Sequence, residues 1–122
     1  ESGIYVTGYV DDLKKYYEMA DFVVIPVQHG GGVKLKLLEA VGYGKMVVST
    51  SVGARGTLFQ NGVDIIIEDD PEAFADHCID ILRHKENYLG IENNAIKLFE
   101  EKYTWSGISK EYIGFLENVV RG

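Results

Sequence analysis

Three short apolar runs rich in β-branched residues constrain the fold of this chain more than any other feature. They are DFVVIPV (residues 21–27), KMVVST (residues 45–50) and VDIIIED (residues 63–69). Uninterrupted apolar strands are typical of parallel sheets, because helices cover both faces of such sheets. Segments with helical spacing of apolar residues alternate with the runs. This alternation predicts an α/β protein with a partial Rossmann-like parallel sheet flanked by helices.

The other segments complete the predicted sheet and its helices. GIYVTG (residues 3–8) is predicted to be a further buried strand, and SVGARGTLFQNG a glycine-rich loop. The predicted helices cover residues 12–19, 33–43, 71–84, 88–102 and 105–120. The third of these has the clearest start, because Asp70 can cap it and Pro71 suits its first position. No repeat or linker interrupts residues 1–122, which predicts one domain or a piece of a larger one.

The charge of the chain limits its partners. Twelve basic and 19 acidic side chains give a formal net charge of −7, which argues against nucleic acid or an anionic membrane as the main partner. Residues 28–58 differ, with four basic side chains and one acidic side chain. A local positive field suggests a small anionic ligand, and chance clustering on a solvated face is the alternative that charge leaves open.

Several other classes of site have little support in the sequence. Cys78 is the only cysteine, so neither an internal disulfide nor a thiolate metal cluster can form within the chain. We see no signal peptide, no apolar run near the roughly 20 residues of a membrane span, and no initiator Met. We therefore expect an excised or trimmed chain from a cytoplasmic protein. No nucleophilic triad or metal cluster is evident, so no metal cofactor is expected.

The segment HGGGVKLKLLEA (residues 29–40) contains the strongest functional signal. Three glycines lead into a helix whose first turn holds Lys34 and Lys36, although the helix dipole disfavours cations there by roughly 0.3–1 kcal/mol each. Glycines allow close approach of a ligand, and the unpaired N–H groups of a helix start suit phosphate. A diphosphate between the amides and the lysines would reverse the unfavourable charge.

Lys36 and Glu39 lie one turn apart on the same predicted helix face. A cation near phosphate and a carboxylate one turn further on, able to accept hydrogen bonds from vicinal hydroxyls, would suit a nucleoside diphosphate. A surface ion pair between them explains the spacing equally well. The dinucleotide fingerprint would need glycine where Leu35 stands, and the P-loop ending is absent, so neither a nicotinamide dehydrogenase nor a P-loop ATPase is expected.

The segments VTGYVDDLKKYYEMADFVVIPV and GGGVKLKLLEAVGYGKMVVSTSVGARG resemble a known family. The block Lys-x-x-Glu-Ala, followed by Gly-Lys and a β-branched strand, is its most specific part. Over essentially its whole length the chain is similar to the C-terminal half of retaining GT-B glycosyltransferases of family 4. The resemblance implies a Rossmann-like domain, over residues 1–122, that binds a nucleotide diphosphate sugar as the donor, without a metal.

The resemblance also implies a set of donor-binding residues. Glu39 matches the glutamate that holds the donor ribose, and Lys36 and Lys34 match basic positions of the same motif. The glycine loop near the diphosphate and sugar corresponds to Gly30, Gly31 and Gly32, and the segment beside the nucleobase corresponds to Gly8, Tyr9 and Val10. Leu35 would border the base and ribose. His29, beside the glycines, is a further candidate from its position. Many members carry a second, sugar-contacting glutamate where this chain has Gly31.

The resemblance further implies that the chain alone is inactive. The acceptor-binding N-terminal domain, expected to hold most catalytic residues, and the first two strand–helix units of the C-terminal domain have no counterpart here. A shortened sheet would expose strand edges, so a homo-oligomer is expected. The resemblance suggests a lipid-linked or polysaccharide acceptor and a membrane-peripheral full-length protein. The alternative is a non-catalytic α/β nucleotide-binding or interaction module.

Overall fold

A computed structural model of the chain describes residues 13–29 and 34–104. The helices of this part are α1 (Leu13–Met19), α2 (Lys34–Gly42), α3 (Ser51–Ala54), α4 (Pro71–Arg83) and α5 (Leu89–Lys102). The strands are β1 (Val23–Ile25), β2 (Val47–Ser49) and β3 (Ile66–Ile67), and a 3-10 turn covers Lys85–Tyr88. The strand predicted over residues 3–8 and the helix predicted over residues 105–120 lie outside the described residues.

The strands form one parallel sheet in the order β1-β2-β3, with Val24 opposite Val48 and Val48 opposite Ile66. The predicted fold class is confirmed, because each β-branched run contributes one strand and helices pack beside the sheet. All three strands point the same way, so the loops that follow them meet at one edge of the sheet. In open α/β sheets this carboxyl edge is where ligands bind.

Two apolar clusters pack on the two faces of the sheet, and the alternation along β2 separates them. Val47 belongs to the cluster beneath α2, α3 and α5, which includes Leu37 and Ala95. Val48 belongs to the cluster beneath α4, which includes Ile81. Both residues are almost fully buried, as a central strand with two covered faces requires.

The structure corrects the loop predicted over residues 51–62. Ser51–Ala54 forms the short helix α3, which begins because the Thr50 hydroxyl accepts a hydrogen bond from the Gly53 N–H at 3.2 Å. The glycine content of the segment suggested irregular backbone and concealed this cap. The predicted turn at Asn61-Gly62 is present, with Gly62 at a φ of +80°.

The start of α4 agrees with its prediction. The Asp70 carboxylate accepts a hydrogen bond from the Ala73 N–H at 2.9 Å, and Pro71 occupies the first helical position. Before α5, the 3-10 turn reaches Tyr88, so that the α-helix begins at Leu89. Within residues 13–29 and 34–104, no helix combines the length and the apolar character that crossing a membrane would need.

Candidate functional site

Helix α2 presents its charged residues on the side opposite its core contacts. Leu37, Ala40 and Val41 are buried in the core. Lys36 and Glu39 are exposed. The spacing of three residues therefore places a cation and a carboxylate one turn apart on the solvent side, as predicted.

No ion pair joins Lys36 to Glu39 in the described part of the chain, where the salt bridges involve other residues. The surface ion pair that explained their spacing equally well is therefore not formed in this structure. The two charges are presented to solvent separately. Such a pair would be worth only a few tenths of a kcal/mol, about 0.3–0.5, so its absence costs the fold little.

Tyr17 is a neighbour of Glu39 that the sequence did not identify. Partial burial, the charge of the Glu39 carboxylate and the hydrogen bond that the Tyr17 hydroxyl donates to it raise the pKa of Tyr17. The Tyr17 ring stacks on the ring of Tyr43, with centroids 4.8 Å apart. These contacts link α1 to the end of α2, between residues too far apart in sequence for helical spacing to reveal.

The other predicted donor-binding residues divide into two groups. Lys34 and Leu35 begin α2 and are exposed, and His29 is exposed in the connection that follows β1. These three therefore lie before or within the first turn of the helix, where the predictions placed them. The remaining candidates fall outside the described residues: Gly30, Gly31, Gly32, Gly8, Tyr9 and Val10.

Hydrogen bonds connect the loops at the carboxyl edge of the sheet. The Thr50 hydroxyl, after β2, donates to the backbone carbonyl of Val27, after β1. Ser51 donates its N–H to Asp69 Oδ1 and its hydroxyl to Asp69 Oδ2, both at 2.8 Å, which joins the start of α3 to the loop after β3. These two bonds from Ser51 lower the pKa of Asp69, since they stabilise its ionised form.

A cleft of about 220 Å³ opens at the same edge. Its lining combines three apolar and three polar side chains: Pro26, Pro71 and Phe74 with Gln28, Thr50 and Asp69. None of these six lining residues is among the donor-binding residues that the resemblance implied. A polar residue follows each of the three strands in the sequence. Because the ends of parallel strands meet at one edge of the sheet, this pattern could have predicted that Gln28, Thr50 and Asp69 lie close together.

Two titratable side chains of α4, Cys78 and His77, contact other parts of the protein. Burial raises the pKa of the Cys78 thiol, which packs against the apolar cluster beneath α4. His77, also on α4, has its Nε2 atom 3.4 Å from the Glu68 carboxylate. In the ranges 13–29 and 34–104, no group of three or more His, Cys, Asp and Glu side chains could hold a metal ion.

Comparison with known proteins gives matches of sequence and of fold. The family model described as glycosyl transferases group 1 matches residues 1–84. A protein of the cps region of Klebsiella pneumoniae, named only as an uncharacterised 44.6 kDa protein, is 33% identical over 83% of this chain. An uncharacterised glycosyltransferase of Methanocaldococcus jannaschii is 37% identical over 84% of this chain.

These relatives are much longer than the chain. The match spans 27% of both proteins just described, and 31% of a second uncharacterised M. jannaschii glycosyltransferase that is 28% identical. Among solved structures, the C-terminal domain of a glycosyl transferase group 1 family protein (LpcC) from Francisella tularensis matches with a TM-score of 0.70. That match has 21% identity and covers 84% of this chain and 53% of the solved one, so it bears on fold alone.

Proposed function

The chain belongs to the glycosyl transferases group 1 family, and on this basis we propose that it binds the nucleoside diphosphate part of a nucleotide-sugar donor. The observation that carries the proposal is the separate exposure of Lys36 and Glu39, one turn apart near the start of α2. The helix is the next element after β1, and α/β proteins bind their ligands near the connections that follow the strands.

Each charged residue of α2 has a distinct role in this proposal. Lys34 and Lys36, with the N–H groups of the first turn, bind the diphosphate and stabilise the charge that develops on it as the sugar departs. The Glu39 carboxylate accepts hydrogen bonds from the ribose hydroxyls. Leu35, which is 74% exposed, provides an apolar contact for the nucleoside. Protein groups thus meet the diphosphate charge without a metal.

The rest of the reaction is proposed at the level of the family. The transfer proceeds with retention at the sugar carbon, and the acceptor and most catalytic groups belong to a second domain. The 122-residue chain, which spans about a quarter to a third of the length of these relatives, is then inactive alone. We propose a lipid-linked or polysaccharide acceptor and a cytoplasmic protein at the membrane periphery.

Calorimetric titration of the chain with UDP, GDP and ADP tests the donor site. One diphosphate is expected to bind, and Glu39→Ala is expected to weaken that binding about tenfold or more, because a hydrogen bond to a charged group contributes about 1.5–3 kcal/mol. Lys36→Ala is also expected to weaken binding and to reduce its dependence on salt.

Matched variants on the exposed side of α5 control for a general change of charge. Glu101→Ala and Lys97→Ala are expected to leave the affinity for the diphosphate unchanged. Binding that persists in both α2 variants would place the nucleotide elsewhere. If none of the three diphosphates binds to the folded chain, the alternative of a non-catalytic interaction module is favoured instead.

We also propose that the chain associates with a second copy through β1. Val23 donates its N–H to Met46 and Ile25 accepts from Thr50, so the alternation of a strand turns the backbone groups of Val24 away from β2. Among residues 13–29 and 34–104, no strand pairs with that side. An apolar groove of about 340 Å³ runs beside it, lined mainly by α1 and β1. Open apolar edges invite strand pairing between copies.

Light scattering over a range of concentrations measures this association. A mass above that of one chain is expected, and Val24→Lys is expected to return it to the monomer, because a lysine on an edge strand opposes pairing. Val63→Lys is the matched control, since Val63 is 46% exposed and Val24 45%. A monomeric wild-type mass at high concentration would refute association.

A further inference from the structure

The cleft at the carboxyl edge of the sheet has the lining of a small-ligand site. Its volume of about 220 Å³ is below the roughly 300–1,000 Å³ of pockets for drug-sized ligands, so it suits one small ring. Pro26, Pro71 and Phe74 form its apolar part, and Gln28, Thr50 and Asp69 its polar part. An apolar wall with a few fixed polar groups is the usual composition of a specific small-molecule site.

Asp69 is oriented before any ligand arrives. Ser51 donates its N–H to one carboxylate oxygen and its hydroxyl to the other, both at 2.8 Å, and these bonds hold the side chain in one position at the cleft. A carboxylate has about four acceptor sites, so each oxygen can still accept a further hydrogen bond. The same two hydrogen bonds lower the pKa of Asp69, because they stabilise its ionised form.

Thr50 has its hydrogen bonds within the protein, which leaves Gln28 as the second adaptable polar group. The Thr50 hydroxyl donates to the Val27 carbonyl and accepts from the Gly53 N–H, so its donor is already used within the protein. The exposed Gln28 side chain has both donors and an acceptor, and it lies in the connection that follows β1 and leads toward α2. The cleft therefore adjoins the segment that leads to the proposed diphosphate site.

A ligand that fits this lining has a flat apolar face and a rim of neutral hydroxyl groups. Its apolar face would lie on the Phe74 ring, two neighbouring hydroxyls would donate to Asp69, and a third would pair with the Gln28 amide. A pyranose ring has these properties, whereas a phosphate would meet the like charge of Asp69. We propose that the cleft binds one pyranose ring of a substrate, an inference that rests on the proposed function for its link to transfer.

Titration followed by amide resonances in NMR tests this inference. The probes are the methyl glycosides of glucose, galactose and mannose, added to the 122-residue chain. At least one glycoside is expected to shift the Ser51 backbone and Gln28 side-chain resonances in a saturable manner. Asp69→Asn is expected to weaken that affinity about tenfold, the scale of one charge-assisted hydrogen bond, and Phe74→Leu several-fold.

Asp76→Asn, on the exposed side of α4, is the matched control and is expected to leave glycoside affinity unchanged. Gln28→Ala, a truncation of an exposed side chain, provides a further variant if Asp69→Asn does not fold. The inference is overturned if no glycoside shifts these resonances, because Asp69 then only joins the loop after β3 to the start of α3. It is also overturned if all three variants bind as wild type does.

A second set of probes tests whether the pyranose ring belongs to the donor or to an acceptor. If the cleft takes the donor sugar, then a UDP-, GDP- or ADP-sugar with the matching base shifts the Ser51 and Gln28 resonances, and the corresponding diphosphate alone does not. If it takes an acceptor sugar, the glycoside still shifts them when the nucleotide sugar is bound. Glycoside binding without any diphosphate binding would contradict the donor proposal and leave the cleft assignment standing.

Discussion

Leu37→Ala is expected to lower the free energy of unfolding by about 2–5 kcal/mol, the largest effect expected of any single change considered for this chain. Leu37 is fully buried, with 0% of its side chain exposed, and lies in the cluster beneath α2, α3 and α5. Its removal leaves a cavity where the helix rests on the sheet. Domains of this kind have about 5–15 kcal/mol of stability in total, so the loss is a large fraction of it.

Urea denaturation followed by circular dichroism measures this loss. Leu35→Ala is the matched control, because it removes the same atoms from the same helix at a position that is 74% exposed. That control is expected to change the free energy of unfolding by no more than about 0.5 kcal/mol. Equal effects of the two substitutions would show that α2 does not rest on the sheet through Leu37.

Gly53→Ala is expected to destabilise the chain by about 1–3 kcal/mol, because a Cβ at this position has no space. It would lie 2.9 Å from Ile25 Cγ2 and closer still to Ser49 Oγ. Neither neighbour can yield easily. Ile25 is buried and β-branched, and the buried Ser49 hydroxyl donates to the Thr50 carbonyl at 2.8 Å. Helix α3 would have to move away from the sheet.

Thermal and urea denaturation of two further variants identify the cause. Gly90→Ala is the control, since nothing lies within 4 Å of a Cβ added there and alanine is the better helix former, so stability is expected to hold or rise. Ser49→Ala combined with Gly53→Ala is expected to cost less than the sum of the single changes. Strict additivity would mean that the clash with Ser49 is not what destabilises the variant.

The strands could be predicted because their composition leaves few alternatives. Val47 and Val48 point to opposite faces of the sheet and both are buried, so the sequence shows an unbroken apolar run there. Helix α3 was not predicted, because it depends on specific contacts and not on composition. Its start depends on the Thr50 hydroxyl and the Gly53 N–H, and its glycine serves close packing against Ile25, which a sequence pattern does not distinguish from a flexible loop.

The candidate site was predictable where it depends on the spacing within one helix. Lys36, Glu39 and Leu37 have the exposure that helical periodicity indicates. The contacts between distant segments were not predictable in that way. Tyr17 with Glu39, and Ser51 with Asp69, join residues that share no helix or strand, so only the folded chain brings them together.

The division of α2 into two faces also bears on how such a protein can evolve. The residues that anchor the helix, Leu37, Ala40 and Val41, differ from the exposed Lys36 and Glu39 that are proposed to meet the ligand. Mutations on the exposed face remove no core contact, so they can accumulate at little cost to folding. Descendants of one ancestral scaffold could thus change their preferred ligand by small steps, each of which leaves a folded protein for selection to act on.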